Sequence, residues 1–264
     1  MHTALLRRLT PAAATVFVLA LPSCVPPDPC DPPRQQTFVF YDQSASSIAN
    51  AATTAMFRDS LQAIAGNSLK CEHDAVHAFV VHGETRAKIN RIDVENSIPA
   101  PDTLDMTTAD RALAVVAYND SMKQFVDSAR VRLLKVSEMP VEARFRQSTD
   151  LLGTLEVLSD EIGKADTAST VRIYYFGDMR ESMGSSHRNF DAHPPGNRQQ
   201  AEQWADADTA VLGAMAIQNS RFRNAEIRVL MGNLAAKPNA PAVRAYWERL
   251  FRNADFDSTK IHFN

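Results

Sequence analysis

Three short stretches of this sequence put oxygen-bearing side chains where a strand should end or a helix should begin. The first is Asp42, Ser44 and Ser46 in "FYDQSASS", the second Thr149 in "STDLLGTL", and the third Asp178 in "YYFGDM". Carboxylates and hydroxyls are hard donors. Five of them in one crevice suit a small divalent cation such as magnesium, with manganese or calcium as substitutes, because magnesium prefers octahedral oxygen geometry and keeps some of its waters. An open coordination position would then accept an acidic group from a partner protein. Taken singly, each stretch also reads as local structure: Ser46 or Ser47 as a helix cap, Thr149 as another, Asp178 as a turn acid.

The elements that must position these residues follow from hydrophobic periodicity. Thr37 to Tyr41 reads as a buried strand, and Ser47 to Ala65 as a helix with Ile48, Ala51, Ala52, Ala55 and Met56 on its apolar side, stopped by Gly66 and Asn67. Ala75 to Gly83 is a second strand, and Arg86 to Val94 a half-exposed third, paired antiparallel through a turn. A long helix runs from Thr108 to Val136, inside a segment read as an insertion over residues 103–147. Its seam is Val115, Tyr118, Met122, Val126, Ala129, Leu133 and Val136. It is expected either to lie on the sheet edge or to project as an arm. A helix from Thr149 to Gly163, a central strand from Val171 to Phe176 and a helix from Arg198 to Ile217 follow, the last with Trp204, Val211, Leu212 and Met215 on one face. A strand from Glu226 to Gly232, a helix opened by Pro241 and an edge strand "KIHF" complete the chain. Such alternation marks an α/β sheet. Ligands of open α/β sheets bind at the carboxyl ends of strands where the strand order reverses, so the three stretches converge if the first strand neighbours the one at Val171.

In order and spacing, "VFYDQSASS", "STDLLGTL" and "YYFGDM" resemble the metal-ion-dependent adhesion site of von Willebrand factor A-type domains. The first matches the D-x-S-x-S pattern at every fixed position, the others through Thr149 and Asp178, and the likeness runs from Thr37 to Asn264. It implies a doubly wound, mostly parallel sheet flanked by helices, with a magnesium ion at its top. Ser44, Ser46 and Thr149 would ligate through hydroxyls, Asp42 and Asp178 directly or through water, and the partner would supply a glutamate or aspartate carboxylate. Two departures stand out: Gly177 precedes Asp178 where the family commonly has serine, and the long helix replaces a shorter link.

Composition bounds the rest. With 45% hydrophobic and 22% charged residues the chain can bury a full core. Arg7 and Arg8 followed by the apolar run Pro11 to Leu21 read as an export signal over residues 1–23, and "LPSC" resembles a lipoprotein lipobox with Cys24 as the acylated residue, anchoring the protein to a membrane. Residues 24–36 hold five prolines and read as an extended tether ahead of the domain at 37–264. Losing the leader removes two arginines, so Lys+Arg falls from 28 to 26 against 31 Asp+Glu and the net charge moves from −3 to −5, which excludes a nucleic-acid footprint. An oxidising compartment favours pairing Cys30 with Cys71, the alternative being two buried thiols. Arg180, Glu181 and His187, in the polar loop after Asp178, are candidates for a partner-binding rim. His77 and His82 differ by an odd number and point to opposite faces of their strand, against a zinc site. The chain has no G-x-S-x-G elbow, glycine-rich phosphate loop or H-E-x-x-H motif, so a binding module rather than an enzyme is expected. The alternatives are a metal-dependent hydrolase using the same crevice, or a scaffold with a vestigial site.

Overall fold

The computed structural model describes residues 30, 34–44, 47, 50–145, 148–164, 169–183, 188–214 and 220–264. The expected leader, Cys24 and most of the tether lie outside the described residues, as do Ser46 and His187.

Six strands form one sheet: β1 (Gln35–Asp42), β2 (Ala75–Val81), β3 (Arg91–Glu95), β4 (Thr170–Phe176), β5 (Glu226–Leu230) and β6 (Ile261–Phe263), in the spatial order β3-β2-β1-β4-β5-β6. All neighbours are parallel except β2 and β3, so the sheet is mostly parallel with one antiparallel edge. Phe38, Val39, Phe40 and Tyr41 are all buried, as a central parallel strand covered on both faces requires. Their rings stack on Phe79, Tyr175 and Phe176 of the flanking strands.

The helices are α1 (Ala51–Ser68), α2 (Thr108–Leu134), α3 (Leu152–Lys164), α4 (Arg198–Ala214) and α5 (Ala240–Asn253). Helix α1 starts later than expected, after Asn50, whose side chain accepts from the Ala52 and Thr53 amides. Its buried stripe is Thr53, Phe57, Leu61 and Ile64, not the alanine face, because the large side chains set the phase and alanine tolerates either side. Strand β3 begins only at Arg91, since Thr85–Ala87 forms a 3-10 turn closed by left-handed Lys88. Helix α2, about 40 Å long, packs along the β3 edge of the sheet through its second half. Ala129 and Leu133 are buried and the helix packs on α1 and β3, whereas Leu113 and Val116 near its start are 70% and 57% exposed.

Strand β1 begins two residues before the expected Thr37. Gln35 and Gln36 already pair in the sheet, and Cys30 is joined to Cys71 by a disulfide. The Asp74 carboxylate gathers the amides of Gln35, Lys70 and Cys71 at 2.7–2.9 Å, tying this end of β1 to the turn before β2.

Candidate metal centre

The chain leaves β1 for β2 on one side, while β4 leads to β5 and β6 on the other, so the order reverses between β1 and β4. Tyr41 pairs with Phe176, which brings the carboxyl ends of the two strands together with Asp42 at one and Gly177 and Asp178 at the other. Asp42 is 1% and Asp178 2% exposed. The approach is close enough to explain the glycine. A Cβ on Gly177 would lie 2.7 Å from the Asp42 Cβ and 2.9 Å from its Oδ2, so a serine there would push on the first carboxylate.

Asp42 is surrounded by hydroxyls. Its Oδ1 accepts from the Ser44 amide at 2.8 Å, and its Oδ2 from Ser44 Oγ at 3.1 Å and Ser47 Oγ at 2.6 Å. Ser47 Oγ also accepts from the Asp178 amide at 3.4 Å, so one hydroxyl bridges the two strand ends. Burial, with the Asp178 charge adding to it, pushes the Asp42 carboxyl up to about 6 against the pull of these donors. The sequence reading weighed Ser47 only as a cap; the capping is done by Asn50.

Asp178 carries a partner the sequence reading missed. Lys237 Nζ donates to its Oδ2 at 2.7 Å, and Arg180 Nε stands 4.0 Å from the same oxygen. Lys237 lies in the loop between β5 and α5, 59 residues away, and no local pattern marks it.

Thr149 is held between the ends of β2 and the loop after β4. Its amide donates to Ser182 Oγ and its carbonyl accepts from the Ser182 amide, while the neighbouring Asp150 amide donates to the His82 carbonyl that ends β2. Since β2 and β4 flank β1, this carries Thr149 across the end of β1. Thr149 is not the cap of α3. Asp150 Oδ1 accepts from Gly153, and Glu181 Oε2 accepts from the Leu151 and Leu152 amides at 2.8 and 2.9 Å.

That arrangement corrects the expected rim. Glu181 is 0% exposed and points inward to satisfy the first amides of α3, so it has no surface to offer a partner. Burial pushes its carboxyl up to about 8, with Asp150 adding to the rise and the three amide donors opposing it. Arg180 donates to the Phe190 and Pro238 carbonyls and keeps 16% of its side chain exposed. The histidines are satisfied locally: His77 bonds Asp93 and Gln36, and His82 Nδ1 accepts from the Glu84 amide.

Among the described residues no group of three or more His, Cys, Asp or Glu side chains is placed to hold a metal ion. The donors here are of another kind, two buried carboxylates with hydroxyls around them, which fits a hard cation. The two buried carboxylates face one ammonium, with a guanidinium 4.0 Å from Asp178 Oδ2, and a divalent cation would compete with these cations for the same oxygens.

No family model matches the chain, and no curated protein matches it. Among solved structures it is similar to proximal thread matrix protein 1 from the mussel byssus at 9% identity, over 84% of this chain and 48% of that one, with a TM-score of 0.33. It is also similar to the pilus adhesin SpaC of Lactobacillus rhamnosus GG in its open conformation at 12% identity, over 88% of this chain and 28% of that one, with a TM-score of 0.36. The chain therefore spans less than half the length of either. At such scores neither likeness bears on fold or function.

Proposed function

We propose that this chain is an exported, lipid-anchored protein-binding module of the von Willebrand factor A type, which captures an acidic side chain of another protein through a divalent cation. The observation that carries the reading is the pair of buried carboxylates, Asp42 and Asp178, at the carboxyl ends of adjacent parallel strands where the strand order reverses. Asp42, Ser44, Ser46, Thr149 and Asp178 would hold the ion, magnesium or manganese or calcium. When bound, the ion supplies a Lewis-acidic position for the partner's carboxylate. The chain's own residues do the remaining work. Asp42 and Asp178 would provide negative charge from buried positions, and the serine and threonine hydroxyls would rotate to present lone pairs to the ion. The sheet ends hold the two carboxylates close together. Export and anchoring rest on Arg7, Arg8, the apolar run and "LPSC" with Cys24. Capture without turnover is proposed because no nucleophile or phosphate-loop motif accompanies the site.

Calorimetric titration of magnesium and manganese into the full chain tests the reading. Saturable binding is expected in the wild type and its loss in Asp42→Ala, with the circular dichroism spectrum retained. Absence of saturable binding by a well-folded wild type sinks the proposal.

A further inference from the structure

We infer that Lys237 is a tethered cation that holds Asp178 until a divalent ion displaces it, so that filling the crevice and releasing the lysine ammonium are one event. This rests on the metal reading above and adds a residue to it. The Lys237 ammonium lies 2.7 Å from Asp178 Oδ2, in contact with a carboxylate that is itself 2% exposed. The lysine side chain is 29% exposed, so its charged end has a way back to water that the aspartate lacks.

The loop that carries the lysine is fixed by contacts in which the ammonium takes no part. The Ala240 amide donates to the Lys237 carbonyl at 3.1 Å, Arg180 Nη2 donates to the Pro238 carbonyl at 3.0 Å, and Asn239 takes a left-handed turn with φ 64°. Rotation of one long side chain would free Asp178 Oδ2 with the backbone left in place, while Oδ1 keeps the Arg180 amide at 3.2 Å.

Charge decides which group must move. A divalent ion entering beside Asp42 and Asp178 with Lys237 still in contact would meet an ammonium on the same Asp178 oxygen, with the Arg180 guanidinium 4.0 Å from that oxygen. Like charges a few ångströms apart are strongly unfavourable there. The partners of Asp42 have no such conflict. Ser44 Oγ and Ser47 Oγ donate to its Oδ2, and a hydroxyl can rotate to present a lone pair to a cation instead. An ammonium has only donors and cannot.

The test is magnesium calorimetry on the full chain as wild type, Lys237→Met and Lys237→Arg. Methionine keeps most of the side chain's length and removes the competitor, so the dissociation constant should fall about tenfold, the worth of one charged hydrogen bond. Arginine keeps a cation at the same reach, and its affinity should stay within about threefold of wild type. A second readout needs no variant: amine acetylation of Lys237, followed by mass spectrometry, should rise on adding magnesium to the wild type but not to Asp42→Ala. Equal affinity in wild type and Lys237→Met, with labelling unchanged by magnesium, overturns the lysine's role and leaves the metal reading intact. Weaker binding in Lys237→Met also overturns it, by making the lysine a support of the site. No binding by any protein, Lys237→Met included, overturns both.

Discussion

Replacing Glu181 with glutamine separates a buried charge from the hydrogen bonds it makes. Oε2 accepts from the first two amides at α3, and Oε1 from the Met183 amide at 3.3 Å. Glutamine keeps an acceptor for the helix amides and cannot ionise. Burial raises the carboxyl from an ordinary 4.5 to about 8, so the folded protein holds a proton that the unfolded chain gives up. A carboxyl raised in this way contributes stability that is full below pH 4.5 and is lost as pH climbs toward 8. The slope is about 1.4 kcal/mol per pH unit, and its total over that window is on the order of 5 kcal/mol as an upper bound. Glu181→Gln has no such slope. Urea unfolding of both proteins from pH 5 to pH 9 isolates the effect, since Asp42 and the other titrating groups are common to both. The stability difference, variant minus wild type, should rise by about 2 kcal/mol or more between pH 5 and pH 8. Parallel profiles would refute the reasoning, because they would mean that the amides at the start of α3 keep Glu181 ionised throughout.

Gly177→Ala should lower stability by about 1–3 kcal/mol in urea and weaken magnesium binding, because the new Cβ would meet the Asp42 Cβ at 2.7 Å; an unchanged unfolding midpoint would show that the strand ends can part at little cost. Cys71→Ser should cost about 4 kcal/mol on the chain-entropy model for a bridge spanning 41 residues. Denaturant unfolding without reductant measures this, and a loss under about 1 kcal/mol would mean that the Asp74 hydrogen bonds already hold the end of β1.

What was legible in the sequence was what short-range pattern encodes. A parallel strand buried on both faces is a continuous apolar run, as Phe38 to Tyr41 is; Val171 to Phe176 alternates, with Arg172 and Tyr174 half-buried, and is legible from its β-branched and aromatic content, while the adjacency of the two strands was a condition of the site that only the sheet order supplies. The phase of α1 was not legible, because Ala51, Ala52 and Ala55 are compatible with either side of a helix while Phe57, Leu61 and Ile64 decide it by volume. The start of β3 was hidden by Lys88, a non-glycine residue in a left-handed turn that no composition signal announces. At the site, Asp42 and Asp178 could be found from their place after strands. Glu181 could not: an acid in a polar, glycine-containing loop reads as solvated. Only the packing of that loop against the start of α3, 30 residues away, turns it inward.

Lys237 belongs with Glu181 in that respect, and the two together bear on how such a crevice tolerates its own charge. Two carboxylates taken from water without compensation cost several kcal/mol each, more than a domain of ordinary stability can absorb. The hydroxyls of Ser44 and Ser47 answer one of them, and Lys237 answers the other. A divalent ion entering this crevice, as proposed, would not meet bare ligands; it would exchange with donors the chain already provides. Its affinity would then be set by the difference between what it offers the two aspartates and what the lysine and serines offer them. Changing a residue that never touches the ion, by this reasoning, can tighten binding as effectively as adding a ligand.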